Sequence, residues 1–491
     1  MSASVEVGSE TAASPNDPSN RILKGPLARS VLRFGAPLAI GMGLQTTFNL
    51  VDAYILGRLE HGVADAALGA IGISDQVSAL GTILSYGLSI ATGTMLSRRA
   101  GERDTEGVKR VAFQSLLFIL ALSAVFGIVA LGFSGVLMRD IVGAKGRVAV
   151  LGTSYLRTML GGSFSIFLFL HLTSIQRALG SAKTPILMLL GANVLNFVLA
   201  VLLVYGPGAA PPVFAWGPPV AKLLGLPRLE LLGAAWATIL ARVVFLVPTF
   251  FILMRRFDVF GRASWTRPNF AVIGKIWKLG WPTSVQLVVR ISAMLVTHSV
   301  VARAFTTESD QSATTALGVV FRLETMALFV GLGWGSATQT FMGQNLGAGN
   351  RDRAKASVWY ATLYNALMMV ALTVVYRAFG PQIVDFFDST RSVVAFASDY
   401  ITWVTPSYAA LGIGIVLGSA IQGAGATLET LAVDAAVVGL IQVPASIIVV
   451  FVAHQSATGL WLVVSTTYVI YAIAYVVLYR TGRFLKKAVA S

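Results

Sequence analysis

Long apolar runs punctuated by short basic segments set the pattern of this chain. Residues 111–138, 158–176, 356–376 and 400–428 hold no Asp, Glu, Lys or Arg, and 435–479 is long enough for two such runs, divided by the polar stretch 454–459. A helix crosses a bilayer with about 20 mostly apolar residues, whereas a membrane strand needs only about 9–11, so the runs predict helices. With the windows broken by single charges included, twelve are predicted: 30–58, 66–97, 108–135, 148–177, 184–206 and 231–255, then 275–304, 312–343, 354–379, 394–422, 428–453 and 458–480. The Pro- and Gly-rich stretch 206–229 reads as a loop outside the membrane, with an apolar piece at 220–226 that dips into the interface.

Composition narrows the class. Hydrophobic residues make up 55% and charged residues 12%, against roughly 25% charged in soluble domains, so most of the surface faces lipid. This excludes an ordinary soluble enzyme and a disordered chain. The absence of cysteine excludes disulfides and thiolate chemistry, and the four histidines show no metal-ligand spacing. The net charge of +15 is a topology signal, not a nucleic-acid site. Arg21, Lys24, Arg98, Arg99, Lys109, Arg177, Lys183, Arg255, Arg256, Lys275, Arg351, Arg353 and Arg480 fall on one side of the predicted spans. Lys and Arg mark cytoplasmic loops, so both termini are expected in the cytoplasm and the chain in the cytoplasmic membrane.

The chain also repeats itself. Gly35 and Pro37 meet Gly280 and Pro282 at a shift of 245, and Ala91, Thr92, Thr94, Gly101 and Lys109 meet Ala337, Thr338, Thr340, Gly347 and Lys355 at 246. Six spans per half give both halves one orientation, related by an axis along the membrane normal. The expected fold is an all-α integral membrane protein of twelve transmembrane helices in two pseudo-twofold-related six-helix bundles. Its expected parts are a disordered tail at 1–24, lobes at 25–258 and 259–485, and a C-terminal tail at 486–491.

The segment Met342-Gly-Gln-Asn-Leu-Gly-Ala-Gly-Asn350, followed by Arg351-Asp-Arg-Ala-Lys355, resembles the signature after the eighth helix of MATE (multidrug and toxic compound extrusion) transporters. Gly35-Ala-Pro37 with Asn49-Leu-Val-Asp52, and Gln176-Arg-Ala-Leu-Gly180 with Lys183-Thr-Pro185, are similar to other elements of the same family. The resemblance spans all twelve helices. It implies an exporter of amphipathic, often cationic, compounds, not an enzyme, driven by inward H+ or Na+ and without a cofactor. Its partners are the bilayer and a small-molecule substrate, and it is expected to act as a monomer.

Asp52 is the first candidate for chemistry. An acid deep in a membrane helix costs about 2.5–3.5 kcal/mol on the insertion scale, so it faces the bundle and has a use. Lying 15 residues beyond Pro37, roughly 22 Å along the helix, it belongs to the outer half; the bland alternative is an interfacial cap pairing with Arg58. The resemblance makes Asp52 the coupling site, for H+ or for a bound Na+, supported by Asn196, Asn193 and Asn49. It also implies acids in the second lobe, yet 285–290 and 409–420 hold none and Thr297 stands at the repeat position of Asp52, so coupling is expected to lean on the first lobe. Asp75, Arg290 and Asp434 are candidate cavity residues, with Asp434 also fit to pair with Arg290 or Arg322. Arg322 and Glu324 read either as lining or as a pair. Two other functions stay open. One is a flippase for lipid-linked precursors, holding a diphosphate with Arg242, Arg290 and Arg322. The other is an uncoupled channel or receptor.

Overall fold

The computed structural model describes residues 18–59, 63–141, 146–261 and 267–488. Among these, nine helices are long and apolar enough to cross a membrane, and a tenth crossing is a bent pair. The pair is α5 (Gly146–Gly161) and α6 (Ser163–Ala178), meeting at 43°. Its bend sits at Gly162, where a Cβ would fall 2.3 Å from Ile239 Cδ1. Two more helices, α2 (Leu27–Gly57) and α3 (Val63–Gly101), are amply long and complete the twelve. Polar residues dilute them, Gln45, Asn49 and Asp52 on α2 and Asp65 and Asp75 on α3.

A short helix, α1 (Pro18–Lys24), precedes α2. The first half continues with α4 (Thr105–Val136), α7 (Lys183–Tyr205), the short α8 (Gly217–Leu223) and α9 (Leu231–Arg256). The second half holds α10 (Phe270–Ala304), α11 (Ser312–Gly347), α12 (Arg351–Phe387) and the continuous crossing of α13 (Arg391–Val404) with α14 (Tyr408–Gly423). It closes with α15 (Thr427–Asp434), α16 (Val443–Ile447), α17 (Ala457–Thr481) and α18 (Arg483–Ala488). Between and after α15 and α16 the span is wound as π-helix, Ala435–Gln442 and Ile448–Val452. The looser winding starts directly after Asp434, and π-segments concentrate at functional sites.

Side chains facing outward are those a lipid surface accepts: α4 exposes Val125, Ile128, Leu131 and Phe133, and α12 exposes Leu363, Leu367, Val370 and Val374. In the loop 206–229, α8 exposes Leu223 and Leu224, while Leu229 and Glu230 N–H groups return to the carbonyls of Leu203 and Val204. Of the tail expected at 1–24, Pro18–Lys24 is helical. Ile22 and Leu23 are buried, and Arg353 Nε and Nη2 donate to the Ile22 and Gly25 carbonyls. A seven-residue helix is too short to hold itself in water, so no sequence period announces α1; contacts with the second half make it.

Candidate functional site

The two halves meet along glycines. Gly35 on α2 receives the Trp334 ring of α11, where a Cβ would lie 2.2 Å away, and Gly333 sits against the Ala39 backbone at 2.4 Å. Where α3 and α11 cross, a Cβ on Gly101 would fall 2.0 Å from the Gln344 carbonyl, and one on Gly347 would fall 2.1 Å from that of Arg98. Polar contacts follow the same seam. Gln339 Nε2 donates to Ile90 O and Thr94 Oγ1, Thr94 Oγ1 to Gln422 O, Gln344 Nε2 to Ala178 O, and Ser284 Oγ to Leu84 O. Each lies in the half of its helix next to the basic loops. The bundles are therefore shut against one another at the basic end.

Overpacking at such a crossing costs about 1–3 kcal/mol, enough to move a two-state equilibrium by roughly five- to 150-fold. Gly101→Leu is thus expected to wedge the basic end apart. Because the chain has no cysteine, Ser336→Cys, which lines the cavity behind the seam, gives a thiol without background. Labelling of Cys at 336 by an impermeant maleimide from the basic side should rise in Gly101→Leu, and unchanged labelling would show that the crossing is not a gate.

In the first half, α7 lies parallel to α2. Gly41 backs onto Ile186, and further out Tyr205 Oη donates to the Ile55 carbonyl at 2.7 Å. Between these two ties, Asn196 stands level with the Asn49 turn of α2, and Asp52 lies about one turn further out. The side chains of Asn49, Asp52 and, on α3, Asp75 lie outside the described residues. Asn193 and Asn196 are both buried. Asn196 Oδ1 accepts from Thr238 Oγ1 at 3.1 Å, and the Asn193 amide nitrogen is buried without a partner. Arg242, one turn along α9, donates to the Thr238 carbonyl. His171 is held between Ser89 and Ser115 hydroxyls, at 3.1 and 2.9 Å, a satisfied core residue.

The second half holds more chemistry than its sequence suggested. Tyr468, Tyr471, Tyr475 and Tyr479 recur at three- and four-residue spacing and form one stripe on α17. Tyr475 Oη donates to Asp434 Oδ1 at 2.5 Å, and Arg290 Nε donates to Asp434 Oδ2 at 2.5 Å while its Nη2 reaches Tyr471. Gln286 extends the network, donating to Tyr475 Oη at 3.1 Å and accepting from Gln422 Nε2 at 2.6 Å. Asp434 is fully buried and Arg290 partly so, and this pair links α10 to the span that loosens after Asp434.

Glu324 on α11 is buried, and the hydroxyls of Tyr400 and Tyr468 donate to its two oxygens. Arg322, two residues away, lies instead over the Phe387 ring at 5.8 Å; residues two apart on a helix do not face each other. Arg242, Arg290 and Arg322 are thus held by different partners. Glu324, Tyr400, Tyr468, Arg290 and Thr297 line one cavity of about 70 Å³ inside the second half. The signal for Glu324 was present in the sequence: a mid-span acid with no cation three or four positions away.

The MatE family model matches residues 37–202 and 282–448, two stretches set apart by the offset of the sequence repeat. A Bacillus subtilis (strain 168) protein named as the probable multidrug resistance protein YpnP is 26% identical over 464 residues, covering 94% of this chain and 96% of that protein. A protein named as an FAD transporter of Shewanella oneidensis is 24% identical, over 86% of this chain and 88% of its own length. Among solved structures, a crystal structure of MATE in complex with MaL6 superposes with a TM-score of 0.83 at 24% identity, covering 96% of this chain and 99% of that one. That likeness gives the fold of twelve helices in two lobes.

Proposed function

The chain belongs to the MatE family of membrane transporters, which are not enzymes, and on that premise we propose that it exports amphipathic, drug-like molecules in exchange for H+ or Na+. The observation that carries the reading is the seam: two bundles shut against each other at the basic end, packed through glycines. Such a joint serves alternating access, in which the lobes, taken as 25–258 and 259–485, rock about a site between them. The multidrug name carried by the relative from Bacillus supports the substrate class, and the basic loops support cytoplasmic termini in the cytoplasmic membrane.

Two acids are offered to the coupling ion. Asp52, on the α2 turn beyond the Asn196 level, serves the first lobe, with Asn193, Asn196 and Asn49 as supporting polar groups. Glu324 serves the second lobe. When ionised it accepts two phenol hydrogens; when protonated it must itself donate, so one phenol has to reverse its own hydrogen and accept. Proton uptake at Glu324 would loosen a tie between α11 and either α13 or α17. The same cavity, with a carboxylate and aromatic walls, suits the cationic groups that the family resemblance implies.

The test is efflux of ethidium from proteoliposomes under an imposed H+ gradient and, separately, an imposed Na+ gradient. One of them should drive ethidium against its own gradient. Ethidium flux that only runs downhill, insensitive to both ions, would mean an uncoupled pathway. No ethidium flux together with extraction of a lipid-linked precursor would turn the assignment to the flippase.

A further inference from the structure

A second cavity lies on the seam itself, between the halves. It is lined by Arg177 of α6 and Arg290 of α10, with Tyr86, Gln286, Gln339 and Gln422 around them, and no acid lines it among the described residues. The amides are spent on the seam and on the Asp434 network. The guanidiniums are not. Arg177 Nε is buried without a partner, and its Nη1 has only a 3.4 Å contact with Thr173 Oγ1. Arg290 gives Nε to Asp434 and Nη2 to Tyr471; its Nη1, not fully buried, has no acceptor among the described residues and is open to the cavity. A guanidinium cannot shed its charge to relieve burial. A buried donor without an acceptor is costly, and basic residues kept inside a membrane are functional by default.

Resting on the exporter reading above, we infer that this cavity is an oxyanion subsite: it takes the phosphate, sulfate or carboxylate head of amphipathic organic anions, which are substrates of this transporter. Guanidiniums match planar or tetrahedral oxyanions through paired N–H donors. At about 30 Å³ in this closed form, the cavity is far below the roughly 300 Å³ that encloses a whole drug-sized ligand. It accommodates a charged head while the apolar body lies outside. The two arginines come from opposite halves. Arg290 is already paired with Asp434; an oxyanion held by Arg177 together with the remaining edge of Arg290 ties the basic ends to each other. Substrate charge is thereby tied to the closed state.

The experiment uses the full chain in proteoliposomes with two dyes, carboxyfluorescein and ethidium, and three small competitors: phenyl phosphate, benzoate and phenyltrimethylammonium. Wild type is expected to carry carboxyfluorescein, with phenyl phosphate or benzoate slowing it and phenyltrimethylammonium leaving it unchanged; which anion competes better separates phosphate from carboxylate preference. Arg177→Gln should cut carboxyfluorescein transport about tenfold or more, the loss of a charge-assisted hydrogen bond, while ethidium transport persists and reports an intact fold. Arg290→Gln should cut carboxyfluorescein transport likewise, with ethidium transport lowered as well because Arg290 also lines the Glu324 cavity and pairs with Asp434. Arg177→Lys should restore part of it. Ethidium transport without any carboxyfluorescein transport, or carboxyfluorescein transport indifferent to both arginines or to both anionic competitors, overturns the subsite and leaves the exporter standing. If a variant loses both dyes, the wild-type competition decides alone. Transport of neither dye by wild type overturns the exporter reading and the subsite with it.

Discussion

Asp52→Asn is expected to transport downhill and to accumulate nothing. An amide of the same shape keeps the fold and the path but takes up no proton and offers no charge to a sodium ion. A roughly fifty-fold gradient of the coupling ion stores about 2.3 kcal/mol, which one-for-one exchange converts into an ethidium concentration ratio of about 50. In proteoliposomes, the steady-state ethidium ratio of wild type should approach that figure under the effective gradient, and that of Asp52→Asn should fall to about 1. Exchange of ethidium at equal concentrations on both sides should continue. Asp52 stands on α2 between the level of Asn196 and the tie from Tyr205 to the Ile55 carbonyl, on a helix that keeps polar residues within its span. A variant that still concentrates ethidium would remove Asp52 from coupling, and loss of exchange as well would make it a structural residue.

The spans and the twofold plan were legible because the bilayer imposes them on every residue window: a run of about 20 apolar residues has few other uses. The repeat survived because the glycines of the seam answer a steric demand. Gly101 and Gly347, matched at a shift of 246 in the sequence, face each other's helix with no room for a Cβ. Chemistry in the second half was less legible. Asp434 does take Arg290, one of the two partners expected for it, but Glu324 meets its tyrosines across 76 and 144 positions. No local spacing reports such pairs, and the absence of acids at 285–290 and 409–420 pointed away from the region. The tyrosine stripe of α17 was the available clue. Four phenols at helical spacing in a span present one wet face, and a buried hydroxyl seeks a partner.

Glu324→Gln carries the second large effect, because the site is built around a carboxylate. Both of its oxygens accept phenol hydrogens, from Tyr400 on α13 and Tyr468 on α17. Glutamine keeps one acceptor and places an NH2 group where the other was, facing a phenol that must now reverse its own hydrogen. That is the hydrogen-bond pattern of the protonated acid, made permanent. The variant should therefore behave as if always protonated, with gradient-driven efflux reduced about tenfold or more, as expected when a buried charge-assisted bond is lost. A structural role would also lower activity, so a second readout is required. Trp461 packs edge-on against the Tyr400 ring, with centroids 4.9 Å apart, and its emission reports on that phenol. Wild type should show a tryptophan emission change as pH falls, lost in Glu324→Gln and in Trp461→Phe, and reduced in Tyr400→Phe. If Glu324→Gln keeps the pH response, the titrating group lies elsewhere. If it keeps full gradient-driven efflux, the second half carries no coupling and Asp52 bears all of it.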